Sequence, residues 1–94
     1  LPIMLDEQTR LESIVYANKV IAQKITLLKY NSEMLESVDP TYMEKYLYNE
    51  INNTVCKSED MQMIIDNGFT YQYLYHGNDG ILITNIFFNS YLCE

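Results

Sequence analysis

Tryptophan is absent from this 94-residue chain, glycine and proline are scarce at three and two, histidine occurs once, and 6 basic residues face 13 acidic ones. Each shortage removes a class of function. Three glycines do not supply a glycine-rich phosphate loop, and no serine or cysteine nucleophile stands beside a plausible base, so the chain does not read as an enzyme. Binding to phosphate backbones needs clustered Lys and Arg, whereas Lys19, Lys24 and Lys29 lie too far apart for a patch; no direct nucleic-acid contact is expected. One histidine and two distant cysteines lack both the paired spacing of a metal site and a Cys-x-x-Cys exchange motif, which leaves no metal or cofactor to expect. Charges interrupt every hydrophobic stretch before the roughly 18 apolar residues that a bilayer crossing needs. Leu1-Pro2-Ile3-Met4-Leu5 has neither the basic n-region nor the cleavage pattern of a signal peptide, so the chain reads as a processed or excised piece.

What is present is apolar. Hydrophobic residues make up 48% of the chain, with nine tyrosines and three phenylalanines, which is too much for a disordered segment. One small domain, 1–94, is expected, with a core thin enough to gain from a crosslink or a partner. Residues 1–38 read as a long helical segment: Asp6, Glu7 and Gln8 suit a helix N-terminus, and no glycine or proline intervenes before Pro40. Heptads counted from Met4 put Leu11 and Ile25 at one seam position and Ile14, Ile21, Leu28 and Leu35 at the other. The stripe of Leu11, Ile14, Ile21 and Leu28 suits packing on its own domain or an interaction with another chain. Asn18 falls in that seam, either setting register in a helix pair or sitting at a helix edge. A second helix is expected over 39–55, with Asp39 as cap and Pro40 at the first position.

Over 56–94 the periodicity changes to that of an antiparallel meander. Met61 to Ile65 reads as a strand turned by Asn67-Gly68, although Ser58 as a cap and Gly68 as a stop would make 59–66 a short helix. Phe69 to Tyr75 alternates with period two, and Ile81 to Phe88 is a further strand rich in β-branched and aromatic residues. The fold class is therefore α+β, with N-terminal helices packed on a three- to four-stranded antiparallel sheet.

Four features bear on function. A disulfide between Cys56 and Cys93 would close a loop over the sheet region, worth about 4 kcal/mol on the loop-entropy model; the alternative is two buried free thiols in a cytosolic protein. His76, in a turn beside Asp79, is the one side chain whose ordinary pKa suits pH sensing. Tyr71, Tyr73 and Tyr75, with Phe69, form either a binding platform or the layer on which the helices pack. Asn52-Asn53-Thr54 matches a glycosylation sequon, a triplet that arises often by chance.

The order of the second half, Val55-Cys56, Met61 to Ile65, Gly68, Tyr71 to Tyr75, Gly80 to Ile86 and terminal Leu92-Cys93-Glu94, resembles the periplasmic sensor domain of ToxR-like membrane-spanning transcription regulators. The resemblance covers about half the chain. It implies an intramolecular Cys56–Cys93 disulfide and a periplasmic location, tethered to the inner membrane by a segment absent from this chain. It also implies a membrane-anchored periplasmic partner or a homodimer, and bile-like amphipaths or pH as the signal. Whether the chain is the regulator or its accessory subunit is left open by its long N-terminal region. The expectation is a sensory or interaction domain; the alternatives are an acidic cytosolic inhibitor that mimics nucleic acid, as a charge of −7 permits, and a secreted effector fragment.

Overall fold

The computed structural model describes residues 2–94 as a five-stranded sheet with two helices against one face. The elements in chain order are β1 (Ile3–Met4), β2 (Thr9–Ala17), β3 (Val20–Leu27), α1 (Pro40–Cys56), α2 (Glu59–Asp66), β4 (Thr70–Gly77) and β5 (Leu82–Phe88). Spatial order follows chain order, and every neighbouring pair is antiparallel except β3 and β4. A parallel pair needs a crossover, and the segment from Leu28 to Phe69, with both helices, supplies it. The α+β class and the disulfide stand as expected from the sequence, whereas the sheet has five strands and is mixed.

The largest departure is the N-terminal third. Residues 2–38 are not helical: β2 and β3 form a hairpin whose two-residue turn is Asn18-Lys19, both at positive φ (53° and 62°). Leu1, first residue of the expected helical segment, lies outside the described residues. The heptad count misled because a β-bulge between Leu11 and Ser13 shifts the alternation by one. Leu11 and Ile14 then share a face at a spacing of three, as on a helix. Asn18 belongs to the turn and sets no helix register.

α1 forms as the sequence predicts. The Asp39 carboxylate accepts from the Thr41 N–H (3.0 Å), Pro40 occupies the first turn, and Leu47, Ile51 and Val55 recur at helical spacing on the buried side. Residues 59–66 are helical too, so the Asn67-Gly68 hairpin is replaced by its rival. Ser58 Oγ accepts from the Met61 N–H (3.2 Å), Glu59 and Asp60 complement the helix N-terminus, and Gly68 at φ +89° ends it.

β4 is the spine of the core. Its register sets Tyr71, Tyr73 and Tyr75 beside Ile21, Gln23 and Ile25 of β3, and beside Phe88, Ile86 and Thr84 of β5. Leu47, Ile51 and Val55 of α1 and Ile65 of α2 close over that face, leaving Phe88 and Val55 without solvent contact. The segment 28–38 is pinned to the β4–β5 turn. Asn78 donates its side-chain amide to the Leu28 carbonyl (3.1 Å) and its backbone N–H to Tyr30 (2.7 Å), while Ser32 donates N–H and Oγ to Asp79 (3.1 and 2.7 Å). Gly77 permits this approach, since a Cβ there would stand 3.0 Å from Asn31 Cα and 3.1 Å from the Ser32 nitrogen.

Candidate partner-binding surface

The residues singled out from the sequence scatter once folded. Tyr71, Tyr73 and Tyr75 are buried under the helices, their rings lying 6.1–6.2 Å apart in a row, so they are the packing layer and not an exposed platform. Burial pushes the phenol pKa of Tyr73 and Tyr75 well above the ordinary range, and neighbouring Tyr71 and Tyr73, respectively, add to the shift. Leu11 is buried, Ile21 and Leu28 are partly buried, and Ile14 alone of the expected interaction stripe stands out in solvent. His76 is not in the turn: it lies within β4, half-buried, with Nδ1 3.1 Å from its own strand's Leu74 carbonyl. Asp79, its expected partner, instead accepts from Ser32, which holds the carboxyl below its usual pKa. Among the described residues no three His, Cys, Asp or Glu gather as a metal site, and no helix is long and apolar enough to cross a membrane.

Cys56 and Cys93 are joined as a disulfide, with Cα atoms 5.6 Å apart. The bond is one stitch in a strap. Over residues 89–94 the Asn52 side chain donates to the Leu92 carbonyl and accepts from the Leu92 N–H (both 2.9 Å), imitating a β-bridge. Tyr48 donates to the Ser90 carbonyl (3.3 Å), and Tyr91 donates to the Asp66 carboxylate (2.9 Å), an attachment that raises the Tyr91 pKa. Asn52, the acceptor of the sequon, is therefore committed to the fold. The sequence carried no signal for these side-chain clamps beyond the cysteines.

Two surfaces among the described residues combine exposed apolar side chains with a defined shape. Between α1 and β5 lies a cleft of about 180 Å³ bordered by Leu35, Val38, Met43 and Leu82, followed by a shallower one beside Tyr48 and Phe87. The Thr84 hydroxyl donates across this side to Glu44 (3.3 Å). The second surface is the opposite flank of the sheet, where the helices do not reach. There Ile3, Ile14, Val15 and Tyr16 are about half exposed or more, at 51%, 49%, 61% and 61%. Tyr16 stacks on Phe69 (5.8 Å), and Lys19 lies over the same ring (5.6 Å) while donating to the Asn67 carbonyl (3.4 Å). This fixes the hairpin tip against the α2–β4 junction. The flank is uncharged from Ser13 to Asn18, although the chain as a whole carries −7. Glu12 is withdrawn from it: its carboxylate takes the Arg10 guanidinium (3.0 Å) and the hydroxyl of buried Thr26 (2.6 Å), which lowers its pKa.

No family model and no curated protein matches this sequence. The fold itself is similar to solved structures. One is the pilotin EpsS of the Vibrio vulnificus type II secretion system, with TM-score 0.73 and 16% identity over 95% of this chain and 74% of that one. A Pseudomonas aeruginosa protein, proposed as secreted, gives 0.71 and 10% over 95% and 75%. The type II secretion pilotin AspS of Vibrio cholerae gives 0.65 and 17% over 93% and 72%. These neighbours overturn the resemblance to ToxR-like sensor domains, which rested on the order of elements in a half-chain whose first expected strand is a helix. The regulator function, the sensing of pH or amphipaths, and the membrane-anchored regulator partner or homodimer fall with it. An extracytoplasmic location agrees with both the neighbours and the disulfide.

Proposed function

We propose that the chain is a pilotin-like, non-catalytic binding domain of a type II secretion system, acting outside the cytoplasm on the system's secretin. The observation that carries this reading is the fold shared with EpsS along nearly the whole chain, through the strands that the sequence pattern disguised. Two features support it. The disulfide belongs to an oxidising compartment. The exposed flank of Ile3, Ile14, Val15 and Tyr16 gives a small domain an apolar surface of the kind that partners cover. The same features disfavour an acidic cytosolic inhibitor, which would keep free thiols and offer carboxylates where this flank offers none.

The test is binding and consequence together. Purified protein is titrated into the host's purified type II secretin, and the host is assayed for type II secretion with and without the gene. Saturable binding and loss of secretion on deletion are expected. Secretion unchanged by deletion, with no secretin binding, overturns the reading.

A further inference from the structure

We propose that the free outer edge of β2, residues 13–17, takes up an extended, uncharged segment of the partner as an added β-strand. The inference rests on the reading of the chain as a partner-binding domain and specifies which shape of segment it holds and where. It starts from the sheet ladder. β1 pairs with the outer side of β2 only at Ile3↔Leu11 and Met4↔Arg10. Beyond the bulge, residues 13–17 pair with β3 on one side only, and among the described residues no hydrogen bond joins them to anything else. Among the described residues a row of backbone donors and acceptors is thus unpaired, and only another polypeptide backbone repeats such a row at matching spacing.

β1 shows that this side of β2 accepts a strand, in antiparallel register, as far as its partner runs. Pro2 follows next on that track, and its missing N–H cannot continue the ladder. An added strand would carry on where β1 stops. Natural proteins guard such an edge with lysine, proline or a covering loop. Here Ser13-Ile14-Val15-Tyr16-Ala17 carries no charge, and its three large side chains are about half exposed or more. The other sheet edge, β5, is also uncharged and exposes Leu82 and Phe87, but α1 sets charges against it, with Glu44 hydrogen-bonded to Thr84 and Lys45 beside it. Ile14 and Tyr16 point to the helix side of the sheet and Val15 to the other, since Gln23 and Ile21 are the partners of the first two and Ala22 of the third. The incoming strand would therefore find apolar contact on both faces, which selects small or β-branched residues in alternation.

The experiment uses the full chain, 15N-labelled, and the synthetic peptide acetyl-Thr-Val-Thr-Val-Thr-Val-Thr-amide, read by NMR shifts and amide exchange. Addition of a strand protects every second amide in 13–17, and replacing the central valine of the peptide by proline abolishes the effect. The double variant Ile14→Lys, Tyr16→Lys, with native amide dispersion retained outside the β2–β3 hairpin, should weaken peptide binding by about tenfold or more. Shifts absent from 13–17, shifts at the α1–β5 clefts instead, or side-chain shifts without amide protection, as a docking helix would give, each overturn the proposal. The purified secretin separates it from the proposed function. Secretin binding unaffected by the double variant removes the edge and keeps the function; peptide binding without secretin binding does the reverse.

Discussion

The two ends of the sheet are held together by different means. At the β4–β5 end, helices cover one face, a strap crosses them, and Cys56–Cys93 fastens the strap, so Tyr71, Tyr73, Tyr75, Ile86 and Phe88, which point to that face, are buried. At the β1–β2 end, a hairpin of much the same apolar content keeps Ile14, Val15 and Tyr16 in solvent. Position in the sheet decides the fate of an apolar residue more than its type does. A tyrosine in β4 is flanked by strands on both sides and capped by α1; Tyr16, two strands away, has one strand beside it and a single aromatic neighbour.

The comparison is broken most sharply by paired truncations. Phe88→Ala should cost about 3–5 kcal/mol and Tyr16→Ala well under half of that, measured as denaturant midpoints, because Phe88 has no solvent contact and Tyr16 is largely exposed. Equal losses would mean that the flank is packed after all. Next comes the strap: opening the disulfide in the double variant Cys56→Ser, Cys93→Ser removes a crosslink spanning 37 residues and should cost about 4 kcal/mol. Amide exchange should then rise first at residues 89–94 and leave 9–27 nearly unchanged. Gly77→Ala presses a methyl against Asn31 and Ser32 and should cost about 1–3 kcal/mol, freeing the 28–38 segment from the β4–β5 turn.

Alkali acts on the β4 end through its buried tyrosines. Burial raises the folded pKa of Tyr73 and Tyr75 above the ordinary value of 10.0. Their neutral forms thus favour the fold fully below about pH 10, and that contribution is lost as pH rises from there towards the folded values. A spectrophotometric titration should show Tyr73 and Tyr75 ionising only as the fold opens. The smallest effect is at the acid end. Asp79 has a depressed folded pKa, so what it contributes is present above its ordinary 3.8 and lost as pH falls through the folded value. Asp79→Asn should flatten the acid limb of the stability curve slightly, as followed by thermal midpoints between about pH 2 and 5.

The same contrast explains what could be read in the sequence. α1 was legible because Asp39-Pro40 and the Leu47, Ile51, Val55 spacing agree with each other, and β4 because its alternation is unbroken. The hairpin was hidden by one bulged residue, which converts period two into a spacing of three between Leu11 and Ile14, and by a turn built from Asn18-Lys19 without glycine. The β-branched run of Thr9, Ile14, Val15, Val20, Ile21, Ile25 and Thr26 was the available counter-signal. For α2, Ser58 with Glu59 and Asp60 outweighed Asn67-Gly68, since a cap satisfies backbone donors that a hairpin at that point would have needed a partner strand to satisfy. For the candidate surface, Ile14 was legible as an apolar position but not as an edge, because a free edge depends on which strands end early. That is a property of β1's two residues and of Pro2.

The parallel seam between β3 and β4 also sets the order in which the molecule assembles. Two antiparallel hairpins, β2–β3 and β4–β5, close locally within microseconds, but joining them waits on the whole crossover from Leu28 to Phe69. A hairpin made without the crossover would leave β3 or β4 as an edge as bare as β2; closing the crossover covers both and leaves only the outermost edges of the sheet.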